Sequence, residues 1–514
     1  MKHTIVTTLL PPLVIGSAMT LLTACSSPGS HYWPMPASLA QEPYASTRAI
    51  AGGENYTHLN ENERIRVSQE PISTFSIDVD TASYANVRRF LNGGHLPPVD
   101  AVRTEEMVNY FDYAYPHPSS MEEPFTVTTE LGNAPWSSNS YLLHIGIKAY
   151  EPPQQQQPPR NLVFLLDVSG SMGADNKLEL VKKSLRLLVK QLDADDSVAI
   201  VVYAGASGVV LPPTAGDHSA EIIAALERLH AGGSTNGGAG IELAYRLAER
   251  HLIKDGVNRV ILATDGDFNV GPSSVEDLKQ LIRIKKRSGI GLTVLGMGMY
   301  NYNDAMLEEI SNAGDGNAAY IDTLNEAQKI LVNDIQATLH TVAKDTKIQV
   351  EFNPQHVASY RLVGYENRLL ETEDFANDRV DAGDVGAGHT VTAIYEITPA
   401  QPHRYQREDG NPGIHSRELA TVKLRYKRPS EQSSRELVHH VEAGVIDGDL
   451  KSASPTFRFS AAVAGFAQLL RGSKYVEGYN YEEVYSLAQG SRGEDRYGYR
   501  SEFMQLVKLA QSLE

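Results

Sequence analysis

Asp167, Ser169 and Ser171 alternate in the stretch Asp167-Val168-Ser169-Gly170-Ser171, directly after the apolar run Leu162-Val163-Phe164-Leu165-Leu166. A run of that kind reads as a buried parallel strand. The Asp-x-Ser-x-Ser then falls in the loop at the strand's C-terminal end, where open α/β sheets present ligand groups. A second segment, Gly232-Gly233-Ser234-Thr235-Asn236-Gly237-Gly238, brings Thr235. A third, Val260-Ile261-Leu262-Ala263-Thr264-Asp265-Gly266, is again a strand followed by a loop and brings Asp265. All three loops can converge on one sheet edge, and their oxygen-bearing side chains together form a metal site assembled from distant segments. Alone, Asp-x-Ser-x-Ser is equally a Gly-Ser turn whose Asp and Ser cap the following helix. The five residues in combination are what favours the metal.

This constellation resembles the von Willebrand factor type A (VWA) domain with its metal-ion-dependent adhesion site, over roughly residues 161–340. The resemblance implies that Ser169, Ser171 and Thr235 offer hydroxyl oxygens, while Asp167 and Asp265 hold the metal mainly through waters. Mg²⁺, or Mn²⁺ in its place, suits such a shell, because a hard ion prefers octahedral oxygen coordination and keeps several waters. Neutral hydroxyls leave most of its charge unquenched. The open position should therefore favour an anionic oxygen, such as an Asp or Glu of a protein partner. The chemistry implied is capture rather than catalysis. Asp175 and Asp267 lie near the site and could serve a second cation, although solvated loop carboxylates are the simpler reading. Tyr300 and Tyr302, beyond the last strand's glycines, could border the binding face or simply belong to an exposed loop.

The elements that must position these loops read as repeated βα units. Leu178, Val181, Leu185, Leu188 and Val189 sit at helical spacing. Strands follow at 197–203, 260–264, 291–296 and 318–321, interleaved with helices at 220–229, 240–251, 275–288 and 305–312 and closed by a helix at 325–340. Such alternation predicts an α/β fold: a doubly wound, mostly parallel, Rossmann-like sheet with helices on both faces. The Gly-rich loops are not phosphate cradles, since no Gly-x-x-x-x-Gly-Lys-Ser/Thr occurs. Neither a His-Glu-x-x-His nor a Gly-x-Ser-x-Gly is present.

The N-terminus points to a compartment. Lys2 precedes a short apolar stretch broken by Pro11-Pro12, and Leu22-Thr23-Ala24-Cys25 closes it. This is too short and too interrupted for a stable spanning helix. The tetrapeptide resembles a bacterial lipobox, which implies acylation of Cys25 after removal of residues 1–24 and a membrane attachment through lipid. Cys25 is the only cysteine, so lipidation would leave no thiol for disulfides, Cys-ligated zinc or thiol catalysis. Ser26 in place of Asp directs the lipoprotein pattern to the outer membrane of a Gram-negative cell envelope. Residues 25–70, rich in Ser, Pro, Asn and Glu, read as a flexible tether. Net charge is −17, from 63 acidic against 46 basic residues. With no basic stripe, that argues against nucleic acid as a partner.

Around the α/β segment at 160–342 the pattern differs. A strand near Phe75, a helix opened by Thr81-Ala82-Ser83-Tyr84 and a second helix after Pro97-Pro98 begin an N-terminal region at 71–150. Asp78-Val79-Asp80-Thr81 also resembles the nucleophile motif of haloacid dehalogenase-type phosphatases, but the further α/β units of that fold do not follow. Residues 75–116 resemble instead the region preceding the VWA domain in the YfbK-like bacterial lipoproteins, where Asp and Thr would be structural caps. Alternating runs at 125–131 and 141–147 read as antiparallel strands, and Pro152-Pro153-Gln154-Gln155-Gln156-Gln157-Pro158-Pro159 as a stiff polar connector. Strands at 346–352, 360–365, 388–397, 420–426 and 435–442 suggest a β-sandwich-like domain at 343–452, with a polar loop at 403–415. The strands at 125–147 are expected to join this sheet system, making the VWA segment an insertion. Residues 453–514 read as helical, with Ser454-Pro455 as one cap and Asn480 with Glu483 as a capping box. His439-His440 points to opposite faces of a strand and is no metal pair. Three functions stay open: a lipid-anchored module that binds protein through a metal, a hydrolase with its site outside the VWA segment, and a structural envelope scaffold whose metal only orders loops.

Overall fold

The apolar run 162–166 lies in the middle of a twisted sheet because both of its faces are covered. The computed structural model describes residues 53–514 except 236, 267–274, 300–301, 315, 401–416 and 444–449. The expectations for the signal segment, Cys25, Asp267, Tyr300 and the loop at 403–415 lie outside the described residues. Strands are β1 (Ile65–Arg66), β2 (Ile72–Ser76), β3 (Phe125–Asn133), β4 (Tyr141–Ala149), β5 (Arg160–Asp167), β6 (Ser197–Tyr203), β7 (Ser207–Ala215) and β8 (Val257–Thr264). They continue as β9 (Gly291–Gly296), β10 (Ala318–Tyr320), β11 (Thr341–Phe352), β12 (Val357–Val363), β13 (Gly383–Gly386), β14 (Thr390–Pro399), β15 (Glu418–Lys427) and β16 (Arg435–Glu442).

The central sheet has the order β10-β9-β8-β5-β6-β7, parallel except for β7. Side chains alternate along β5. Leu162, Phe164 and Leu166 enter the core under the helices Leu178–Val189 and Ser219–Glu227. Val163 and Leu165 enter the core under Gly237–Arg250, Val275–Arg287 and Asp304–Ala313. This two-sided burial is why the strand reads as a continuous apolar run rather than an alternating one. The edge strand β7 escapes sequence reading because it carries Gly208, Pro212 and Pro213, residues tolerated at a sheet edge and not inside one. The expected closing helix is interrupted: Leu324–Gln328 passes through a π-helical turn at Lys329–Asn333 before Ile335–Leu339. Lys329, first residue of that turn, pairs with Asp334 just beyond it.

The remaining strands form two antiparallel sheets around one core. One has the order β1-β12-β14-β4-β3, and the other sets β13, β11, β15 and β16 side by side with β2 also against β11. Ile145 of β4 faces Ala393 of β14, and Phe75 of β2 faces Ile348 of β11. Residues 71–150 and 343–452 are therefore one body rather than two consecutive domains, and the α/β segment is inserted between β4 and β11. The strands at 125–147 join this sheet system as expected, β4 lying against β14; what alternation does not reveal is that β1 and β2 join it too, against β12 and β11.

The helices Pro455–Arg471, Tyr481–Gln489 and Tyr499–Leu513 pack with Ala82–Asn92 and Thr104–Asn109 in a further core rich in edge-on aromatics, Phe111 against Phe459 and Phe503 among them. The expected caps are made: Ser454 Oγ accepts from Phe457 N at 3.0 Å, and Asn480 with Glu483 closes a capping box. The tether reading fails from Gly53 onward. Glu54 pairs with Arg89 at 2.8 Å, Asn62 donates to the carbonyls of Leu362 and Gly364, Arg64 pairs with Glu396 at 2.6 Å, and β1 joins β12. These polar side chains spend themselves on partly buried partners, which composition alone cannot distinguish from solvation.

Buried arginines join the inserted α/β unit to the rest. Arg88 reaches Asp322, Glu326 and Glu502 together. Arg103 pairs with Glu106 and Asp304, and Arg368 with Asp78 at 3.0 Å and Glu308 at 3.3 Å. Among the described residues no helix is long and apolar enough to cross a membrane.

Candidate metal site

Asp167 ends β5 and is fully buried. Its Oδ1 accepts the backbone N–H of Ser169 at 2.8 Å, which turns the chain and sets the Ser169 and Ser171 hydroxyls 3.0 Å apart. The loop is then stitched to its neighbour: Gly170 N donates to Gly233 O at 3.0 Å and Gly232 N to Val168 O at 2.7 Å. Thr235, half-buried, lies two residues beyond Gly233 on that same stitched loop. On the other side Thr264, last residue of β8, donates through Oγ1 to Asp167 Oδ2 at 3.4 Å, and the buried Asp265 follows it. Gly266 closes this turn with φ +89°, and a Cβ there would come within 2.5 Å of Asn303 N. Asp167, Ser169, Ser171 and Asp265 thus come together at the C-terminal edge of the sheet, and the loop carrying Thr235 is bonded directly to them.

Burial raises the Asp167 carboxyl above the ordinary carboxylate range, hydrogen bonds from Ser169 oppose this, and the charge of Asp265 adds to it. Tyr203, at the end of β6, stands with its hydroxyl beside Asp167. Two buried carboxylates that act on each other's charge favour a cation beside them. Among the described residues no three His, Cys, Asp or Glu side chains gather as a metal cluster. The donors here are instead two carboxylates and neighbouring hydroxyls, a hard-oxygen set that fits Mg²⁺ or Mn²⁺ and not a soft metal. Asp167, Ser169, Ser171, Thr235 and Asp265 are the residues that would hold the ion.

Lys177 was not legible as part of this site. Its Nζ donates to Asp265 Oδ2 at 2.8 Å. It lies six positions after Ser171 and immediately before the helix Leu178–Val189, where a lysine ordinarily reads as a solvated side chain. The other expectations resolve variously. Asp175 is exposed on the loop. Tyr302 does not border a binding face: it is buried, donates to Asp304 at 3.0 Å and packs against Tyr320. Asp78 and Asp80 are buried beside Arg368, Asp80 accepting from Ala318 N at 2.9 Å. Thr81 takes the N-cap position of Ala82–Asn92 without a side-chain cap, and Glu106 accepts from Ser83 N in its place. His439 meets Thr129 at 3.1 Å, whereas His440 meets Glu418.

Residues 161–336 match the von Willebrand factor type A domain model, residues 50–144 match a model described as von Willebrand factor, and residues 337–513 match "Uncharacterized protein YfbK, C-terminal". The Escherichia coli K12 protein YfbK is 46% identical over 475 residues, covering 90% of this chain and 82% of the relative. Human inter-alpha-trypsin inhibitor heavy chain H3 is 26% identical over 281 residues, covering 50% of this chain and 30% of that protein. A solved structure of a von Willebrand factor type A protein from Catenulispora acidiphila aligns over 76% of this chain and 91% of its own, at 16% identity and a TM-score of 0.40. The chain belongs to the YfbK family of VWA-domain proteins.

Proposed function

We propose that this protein is a lipid-anchored component of the bacterial cell envelope, held at the outer membrane through Cys25, and that it captures a protein partner through a Mg²⁺ or Mn²⁺ ion bound at Asp167, Ser169, Ser171, Thr235 and Asp265. VWA domains often mediate protein interactions, and this chain carries one. The supporting observation is the convergence of the buried Asp167 with the paired Ser169 and Ser171 hydroxyls, the buried Asp265 and the bonded Gly233 loop at one sheet edge. A hydroxyl-rich shell leaves the ion's charge for an incoming carboxylate, so the partner supplies an Asp or Glu. No proton donor or nucleophile poised against a substrate is needed for that act, and the reading is non-catalytic.

The test is capture from envelope extracts in Mg²⁺ and in EDTA, comparing the intact protein with Asp167→Ala. A partner retained only in Mg²⁺ and only by the intact protein is the expected result. Retention that survives both EDTA and Asp167→Ala would favour the scaffold reading, in which the metal merely orders loops.

A further inference from the structure

Lys177 enters the site from a direction none of the five candidate ligands uses. Its backbone N–H donates to Ala174 O and its carbonyl accepts from Val181 N, which fixes the residue at the start of the helix Leu178–Val189. Its side chain crosses the end of β9 over Gly298, which has φ +87° and where a Cβ would lie 2.4 Å from Lys177 Cε. The ammonium arrives 2.8 Å from Asp265 Oδ2, with the lysine side chain 10% exposed and the aspartate fully buried. An ion pair at this depth is screened little by solvent. Its charge is therefore felt by anything held between Asp265 and Asp167.

We infer that Lys177 is a built-in counter-cation that sets the balance of the site, weakening the hold on the divalent ion itself while strengthening the ion's demand for an anionic ligand. The inference rests on the metal-site reading above. With two aspartates and a divalent ion alone, the formal charges sum to zero, and the demand for an anion comes only from the neutral hydroxyls in the ion's shell. The Lys177 ammonium, 2.8 Å from Asp265 Oδ2, adds one positive charge to that balance. An incoming carboxylate neutralises that charge, whereas water does not. Lys177 thereby couples metal binding to partner binding: the metal alone is held loosely, and metal with carboxylate is held together.

Lys177 is thus a specificity-determining residue for acidic partners rather than a ligand. The experiment is calorimetric titration of Mn²⁺ into the full chain, for the wild type, Lys177→Met and Lys177→Gln, each with and without acetate as the carboxylate probe. Removing a positive charge adjacent to a divalent ion should tighten Mn²⁺ binding about tenfold or more in both variants. Acetate should strengthen Mn²⁺ binding clearly in the wild type and less in either variant. Both variants leave Asp265 without its ammonium, so they should melt lower than the wild type in EDTA and regain more of the transition temperature on Mn²⁺ addition. That recovery keeps the comparison readable even if a variant is poorly folded without metal. Equal Mn²⁺ affinity and an equal acetate effect in all three proteins would overturn the inference, as would weaker Mn²⁺ binding in the variants, which would make Lys177 a support for the ligands. Absence of Mn²⁺ binding in the wild type and both variants would overturn the metal-site reading itself, and this inference with it.

Discussion

Replacing Arg88 by Met should loosen the inserted VWA unit from its frame more than any surface change. Arg88 is almost wholly buried, and its guanidinium serves Asp322, Glu326, Glu502 and the Tyr110 hydroxyl at once. Glu502 is one-third exposed and can turn to water, so its loss costs little. Asp322 and Glu326 are 5% and 1% exposed and cannot. Glu326 would keep one donor, the Tyr110 hydroxyl at 2.7 Å. Removing one partner from a buried ion pair typically costs about 3–5 kcal/mol, because the charge left behind has lost its compensation. The penalty should depend on pH with a defined sign. Burial already raises the Glu326 carboxyl above its ordinary range, and Arg88 is the main influence lowering it. Without Arg88 it rises further. A carboxyl whose folded-state pKa is raised contributes stability that is fully present below its unfolded value and lost as pH rises through the folded one. The Arg88→Met penalty should therefore be smaller near about pH 5 than near about pH 8. Urea unfolding of the wild type, Arg88→Met and Arg88→Met/Glu326→Gln at both pH values measures it, and the double variant should recover part of the loss at the higher pH. A loss below about 1 kcal/mol, the range of an exposed pair, or one identical at both pH values, would show that Arg88 does not hold buried charge in this way.

Ser169→Ala with Ser171→Ala should abolish Mg²⁺ and Mn²⁺ binding in calorimetry while the protein stays folded, at a cost of about 1–3 kcal/mol because Ser169 is buried and its hydroxyl serves Asp167; unchanged metal affinity would remove the site from consideration. Cys25→Ser should leave the protein unprocessed or release it from membranes, and identical soluble fractionation of variant and wild type would contradict the anchor. His144 is buried and held neutral, its pKa lowered by burial to about 4, against an ordinary value of about 6.5. The stability it contributes is present above the unfolded value and lost as pH falls from there toward the folded one. His144→Phe should flatten that part of the acid-unfolding curve, and a curve of unchanged steepness would exclude the assignment.

Much of the VWA unit was legible because its strands obey one simple rule: β5 and β8, buried on both faces, read as apolar runs, and ligand loops follow their C-terminal ends. The places of the five candidate ligands in the fold were legible for the same reason, each following the end of a strand or lying on a Gly-rich turn. The sandwich was legible as a set of strands that includes those at 125–147, but not in its pairing register. Phe75 with Ile348 and Ile145 with Ala393 are pairs separated by more than two hundred residues, and nothing in local alternation specifies a partner at that distance. The segment from Gly53 to Glu70 misled because Glu54, Asn62 and Arg64 look solvated in sequence and are consumed by Arg89, the carbonyl of Leu362 and Glu396 in the fold. Lys177 escaped because its role depends on the space above Gly298, a feature of three-dimensional approach and not of spacing.

One divalent ion is proposed to sit between the Asp167 loop, the Thr235 loop and Asp265, and anomalous scattering from crystals of the protein soaked in Mn²⁺ would locate it. A single strong peak is expected within direct coordination distance of the hydroxyl oxygens of Ser169, Ser171 and Thr235, lost in crystals of Thr235→Ala or Ser169→Ala. No peak at that sheet edge, or a peak unchanged when Thr235 is replaced, would contradict it.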